Sequence, residues 1–236
     1  MKATILYLYH DFMNLYGDNG NVRILEKRLK DQGFDVEIVR KTVTDEDIAF
    51  DGVDLIYCGS GTESRRAVAT AHLKRFEKAF KSAVEAGTPV LFTGNSWGML
   101  GKSITTLQNE KIEGLGMFDF DLKEEIKKRF TGDCVATAEG FEKSFIGFIN
   151  KCDVIEGFSG YMFKIVKTIG QIPYEADGVR KENLFGVSMI GPVLVKNPFF
   201  ADHLVKVITE RRGAPYKEIF YKHEERGYEM TLRALS

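Results

Sequence analysis

Apolar and polar positions along the first hundred residues switch between two spacings. Ala3-Thr4-Ile5-Leu6-Tyr7-Leu8-Tyr9 is a short, nearly continuous apolar run and reads as a buried strand. Asp18-Asn19-Gly20-Asn21 is a turn and helix-entry cluster. Beyond it Val22, Ile24, Leu25 and Leu29 share one helical face, and Gly33 stands where that helix should stop. Phe34 to Val39 alternates like a strand, and Asp54-Leu55-Ile56-Tyr57-Cys58 is another, ending in Gly59-Ser60-Gly61. From Glu63 to Ala86, Leu73, Phe76, Phe80, Ala83 and Val84 predict one long amphipathic helix closed by Gly87. Pro89-Val90-Leu91-Phe92 opens a fourth strand. Strands that alternate with helices in this way run parallel through right-handed crossovers, so the pattern predicts a doubly wound α/β sheet.

The middle of the chain has a different rhythm. Between Glu110 and Tyr174, short runs such as Phe145–Ile149 and Tyr161–Val166 are separated by glycines, which suits antiparallel strands. Leu184 to Met189 reads as a further strand, Pro198 opens a helix running to about Arg212, and Pro215 to Leu235 reads as a last helix with Gly227 as its weak point. Phe199-Phe200, Leu204, Val207 and Ile208 follow helical spacing and read as core. Without repeat or linker, the expectation is a single domain, 1–236, with 213–236 as a C-terminal helical extension.

Composition changes this picture mainly by exclusion. At 236 residues, 44% hydrophobic and 28% charged, the chain can build a core without disulfide or metal support. A net charge of -1 gives no basic field for nucleic acid. No apolar run approaches the ~20 residues of a membrane span, and the start lacks the features of a secretory signal, so the expected compartment is cytoplasmic. Cys58, Cys134 and Cys152 are odd in number and include no CxxC pair, which suggests neither a disulfide framework nor a zinc site. There is no P-loop, and no cofactor or metal is expected. The charged runs Lys123–Arg129 and Glu218–Arg226 read as solvated faces.

Candidate chemistry gathers at Pro89-Val90-Leu91-Phe92-Thr93-Gly94-Asn95-Ser96-Trp97-Gly98, a strand followed by a sharp turn. Such elbows expose a nucleophile and aim backbone N–H groups at a developing oxyanion. Gly94-Asn95-Ser96-Trp97-Gly98 fits GxSxG, making Ser96 a formal nucleophile. A serine hydrolase also needs a base with an orienting partner. His10, His72, His203 and His223 read instead as surface histidines. Cys58, at the end of the third strand, is a second candidate; its alternative is a small core residue.

Four blocks in order carry a resemblance. They are Tyr16-Gly17-Asp18-Asn19-Gly20-Asn21, Gly59-Ser60-Gly61-Thr62-Glu63-Ser64-Arg65, Gly114-Leu115-Gly116-Met117-Phe118, and Gly191-Pro192-Val193-Leu194-Val195-Lys196-Asn197-Pro198. Together they resemble the cobyric acid synthase-type class I glutamine amidotransferases, nearest to the subgroup of lipid II isoglutaminyl synthase glutaminase subunits. The resemblance implies a flavodoxin-like mixed sheet with helices on both faces. It also implies glutamine hydrolysis feeding ammonia to a Mur ligase-like, ATP-using synthetase that amidates a peptidoglycan precursor, or to a corrinoid branch.

The departures fall on the chemistry. Where the family has its nucleophilic Cys the chain has Gly94, and where it has the base His the chain has Ile190. The pocket Gln falls on Gly98, the middle Gly of the family's Gly-Gly-Gly turn is Ser60, and the family's Asn-His becomes Asn150-Lys151. Thiolate attack and proton transfer need both lost groups. Moving the alignment by two residues would place Ser96 on the nucleophile, at the cost of gaps and still without a base. The first expectation is therefore a non-catalytic binding or regulatory subunit of a Mur ligase-like synthetase. Its ligand pocket would be formed by Gly59, Ser60, Gly61, Asn95, Ser96, Trp97 and Gly98 and would hold a small amino-acid-like ligand. The alternative is an active glutaminase or amidohydrolase using Ser96 or Cys58. Unrelated chemistry on a reused scaffold is a third.

Overall fold

The computed structural model describes residues 1–125 and 129–235. The first half runs β1 (Lys2–Leu8), α1 (Asn19–Asp31), β2 (Asp35–Lys41), β3 (Leu55–Cys58), α2 (Glu63–Lys74), α3 (Glu77–Glu85) and β4 (Val90–Thr93). A 3-10 helix, Gly94–Leu100, follows at once. The middle holds β5 (Ser103–Thr105), β6 (Lys111–Glu113), β7 (Asp121–Glu124), β8 (Phe130–Ala138), β9 (Phe145–Lys151), β10 (Asp153–Ile155), β11 (Tyr161–Gln171) and β12 (Ala176–Lys181). The chain closes with β13 (Leu184–Val187), β14 (Met189–Ile190), α4 (Val193–Lys196), α5 (Pro198–Arg211) and α6 (Lys222–Leu235).

A ten-stranded sheet takes the order β14-β9-β8-β11-β12-β13-β4-β3-β1-β2, and a second sheet the order β10-β7-β5-β6. The run β13-β4-β3-β1-β2 is parallel throughout, whereas β12 through β14 extend it antiparallel. The fold is thus a mixed α/β sheet covered by helices on both faces. Strand periodicity explains the sorting. Ala3, Ile5 and Tyr7 of β1 join the cluster beneath α1 and α5, whereas Leu6 and Leu8 join the one beneath α2 and α3. Val22, Leu25 and Leu29 supply the buried stripe of α1, as their spacing predicts.

Several boundaries differ from the sequence pattern. The stretch 63–86 is two helices, because the chain turns at Arg75-Phe76 while both halves keep the same face inward; the apolar period runs through the break. The strand expected over 184–189 ends at Val187, and Met189–Ile190 crosses to pair with Ile149 and Phe148 of β9. The last helix begins at Lys222 rather than Pro215. Residues 214–221 run as an irregular strap, tied down where Gln32 Nε2 donates to Lys217 O and Lys217 N donates to Gln32 Oε1, both at 2.8 Å. The charged runs are not wholly solvated either. Glu124 is buried against Arg66, and Glu224 pairs with Arg28, which is 1% exposed. Ile126, Lys127 and Lys128 lie outside the described residues.

Candidate functional site

Parallel register brings the chemistry-bearing turns to one level. Leu8 lies opposite Cys58, Cys58 opposite Phe92, and Thr93 opposite Val187, so the segments following β1, β3, β4 and β13 emerge together at the carboxyl end of the sheet. In open α/β sheets this is where ligand sites form. The N-terminal loop is fixed beneath them. Asp18 accepts from Tyr16 N at 3.1 Å and Thr93 Oγ1 at 3.2 Å. Tyr57 Oη donates to Asp18 O at 3.1 Å and accepts from Asn21 Nδ2 at 2.8 Å. Asn21 Oδ1 in turn accepts from Leu194 N at 2.9 Å. Burial pushes the Asp18 carboxyl above its usual range, its hydrogen bonds opposing the rise only in part.

Gly94 leaves β4 with φ +60°, the left-handed region that strains any residue with a side chain. A Cβ built there would overlap the Ser60 side chain and come 2.8 Å from Ile190 Cγ2. Gly94, Ser60 and Ile190 are therefore in close packing, and the space beside the Gly94 backbone is filled by the other two side chains. The backbone is also committed. In an elbow, the N–H of the residue after the nucleophile serves the oxyanion. Here that group, Asn95 N, donates to Ser60 Oγ at 3.2 Å. Ser60 Oγ and Gly61 N donate to Asn95 Oδ1 at 3.2 and 3.0 Å, and Asn95 Nδ2 donates to Gly61 O at 2.7 Å. The Gly59–Gly61 turn is thus stitched to the elbow by Asn95, and a Cβ at Gly59 would overlap Met13 O.

A side chain at Gly98 would find Leu122 Cδ1 at 2.7 Å and Arg66 Nη1 at 3.3 Å. Arg66, wholly buried on α2, ties that helix and the elbow to the second sheet. It donates to Asp153 at 2.7 and 3.0 Å, to Glu124 at 2.6 Å, and to Asn95 O at 3.3 Å. The seven residues Gly59, Ser60, Gly61, Asn95, Ser96, Trp97 and Gly98 are thus adjacent and all buried.

Neither alternative nucleophile is placed beside a base. Ser96 is 0% exposed, and its hydroxyl lies within hydrogen-bond distance of two acceptors, Thr93 O at 2.8 Å and Cys58 O at 3.1 Å. Burial pushes the Cys58 thiol far above its usual range, and its sulfur lies 3.8 Å from Gly59 O. Cys134 and Cys152 are pushed up to about 12, chiefly by burial. His72 is not at the surface, as its pattern suggested. It is buried, with Nδ1 3.0 Å from Tyr9 Oη and Nε2 2.9 Å from Asp45 O, so its ring is fully engaged in structure. His203 is half-buried against Phe141 and Phe185. Among the described residues no group of three or more His, Cys, Asp and Glu is arranged to hold a metal ion. Sequence reasoning missed the plugging role of Ser60 and the Arg66–Glu124–Asp153 bridge. The serine in place of the family's middle glycine was the available signal for the first.

Fold and turn geometry together define a class I glutamine amidotransferase scaffold. The model of the CobB/CobQ-like glutamine amidotransferase domain matches residues 4–197, and the chain belongs to that family. It is 32% identical over 224 residues to the lipid II isoglutaminyl synthase (glutamine-hydrolyzing) subunit GatD of Staphylococcus aureus, covering 92% of this chain and 88% of that one. It is 26% identical over 219 residues to the corresponding GatD of Streptococcus pneumoniae, covering 89% and 82%. Its fold matches the structure of PurLQS from Thermotoga maritima with a TM-score of 0.54 at 16% identity, over 89% of this chain and 97% of that one. Among the described residues, no helix is long and apolar enough to cross a membrane.

Proposed function

We propose that this chain is a catalytically degenerate amidotransferase subunit that binds and regulates a Mur ligase-like amide synthetase. In this reading it acts as a single domain, 1–236, with 213–236 as a C-terminal helical extension. The likeness to two GatD subunits favours the peptidoglycan branch over a corrinoid one. One observation carries the loss of hydrolysis. The space that a nucleophile at position 94 would occupy is taken by Ser60 and Ile190, and the Asn95 N–H that would serve an oxyanion is spent on Ser60 Oγ. Thiolate attack needs a sulfur, a proton carrier and a free donor pair. Gly94 and Ile190 offer neither sulfur nor proton carrier, and one N–H, that of Asn95, is engaged by Ser60, which fits a scaffold repacked around their absence.

The test is glutamate release from glutamine by the purified chain, alone and with its synthetase. Silence in both conditions is the expected result. Turnover that disappears in Ser96→Ala or Cys58→Ala would sink the proposal and make the chain a working glutaminase.

A further inference from the structure

We propose that β2 is a self-pairing edge: a second copy of this chain lays its own β2 antiparallel along the outer side of the strand and joins two sheets about a two-fold axis. β2 ends the ten-stranded order, and among the described residues no strand lies on its outer side. It keeps an unbroken register with β1 over Asp35–Lys41, with neither the proline nor the bulge that often blunts an edge. Its charges are sorted by end. Asp35 and Glu37 open the strand, and Arg40 and Lys41 close it.

The phase of the ladder fixes which backbone groups are on offer. Asp35 N donates to Met1 O at 2.8 Å, so the N–H and C=O of Asp35, Glu37, Val39 and Lys41 point at β1. Those of Val36, Ile38 and Arg40 point outward. In an antiparallel pair, directly opposed residues at alternate positions exchange both bonds, and a two-fold axis makes the contact isologous. Centring the axis on Ile38 sets Val36 against Arg40 and Ile38 against itself, which uses every outward group. The next register in one direction sets Arg40 against Phe34, whose N–H already donates to Leu29 O at 3.0 Å. The next in the other direction sets Val36 against Thr42, whose N–H already donates to Asp45 Oδ2 at 2.7 Å.

The side chains agree with the central register. Val36 and Ile38 pack on the cluster beneath α1 and Val39 on the cluster beneath α2 and α3, and the two-fold keeps each face beside its like. On the first face half-buried Ile38 meets its copy. On the second, Asp35 stands opposite Lys41 at both ends of the pair. Lys41 also pairs with Asp45 at 3.3 Å, and an ammonium with three donors can serve both acids. The register that sets Arg40 against Phe34 would instead oppose Glu37 to itself, a repulsive arrangement. Hydrogen bonding, facial sorting and charge thus select the same partner, a second β2.

The proposal stands whether or not the chain hydrolyses glutamine. Sedimentation velocity of the full chain should show a monomer–dimer equilibrium as concentration rises. Asp35→Lys and Lys41→Asp should each raise the dissociation constant by about tenfold or more, because like charges then face each other at both ends. Mixed in equal amounts, the two variants should associate again, since each supplies the charge that the other lacks. A folding defect would not be repaired by mixing. A parent chain that stays monomeric up to about 1 mM would overturn the proposal. So would a dimer indifferent to both variants, or variants that fail to pair when mixed. Loss of synthetase binding in the variants, with the parent monomeric, would overturn it as well by assigning the edge to a different protein.

Discussion

A single backbone angle decides what position 94 can carry. At φ +60° a residue with a Cβ pays about 1–2 kcal/mol, and a nucleophile repays that strain only by being used. Glycine removes the strain, and Ser60 and Ile190 have closed in. Gly94→Ala should therefore lower the unfolding free energy by about 2–4 kcal/mol, combining strain with overpacking. Adding Ser60→Gly should recover part of that loss. Urea unfolding of the double-mutant cycle measures it, and strict additivity would mean that Ser60 is not the obstacle. Asp18 offers a second residue-level test. Its carboxyl is raised in the fold relative to about 3.9 in an unfolded chain. A raised carboxyl contributes its full stability below the unfolded value and loses it as the pH climbs through the folded one. Asp18→Asn is not subject to that loss, so its stability relative to the parent should rise between pH 4 and pH 7. A difference that stays flat across this range would contradict the burial argument.

Between elements, the Arg66 bridge is the contact whose loss should matter most. It joins α2 to β7 and β10 with no exposed atom on the guanidinium. Arg66→Met should cost about 3–5 kcal/mol, because two buried carboxylates would remain without a cation. Replacing Glu124 and Asp153 by leucine in the same chain should restore most of it, as buried ion networks exchanged whole for apolar groups are often neutral. Chemical unfolding of the single and triple variants separates the two; equal losses would show the bridge to be more than charge balance. None of this was visible in the sequence, where Glu124 sits in a run of charges and Asp153, 87 residues beyond Arg66, looks like any surface acid. The elements themselves were legible where one period held: β1, α1, β3 and β4 follow the apolar spacing closely. The break between α2 and α3 was not, because both halves bury one face. Nor was the strap before α6, since Gln32 takes up the backbone groups of Lys217 in a way that no local pattern records.

At the scale of the whole molecule, the family blocks were readable because each serves a turn, three of them at the end of the main sheet and Gly114–Phe118 against the backbone of Met99–Lys102 just after the elbow. The Tyr-Gly-Asp-Asn-Gly-Asn block supplies Asp18 and Asn21, whose hydrogen bonds fasten the N-terminal loop to Tyr57, Thr93 and Leu194. That framework holds the turns at the carboxyl end of the sheet in place around Gly94, whatever chemistry the site performs. Regulation by such a scaffold predicts a split in what a complex accepts as its nitrogen source. Free ammonia needs no elbow and enters a synthetase directly, whereas glutamine must first be cleaved by a nucleophile, and Gly94 has no side chain to act as one. A complex reconstituted with its Mur ligase-like synthetase and ATP should therefore amidate the acceptor with ammonium chloride and leave it unchanged with glutamine, mass spectrometry of the acceptor giving the readout. Binding is tested in the same experiment, because the chain should alter the ammonium-dependent rate of the synthetase even though it donates no nitrogen. Amidation from glutamine at a rate near that from ammonia would show that hydrolysis survives, and an ammonium-dependent rate indifferent to the chain would remove its regulatory role.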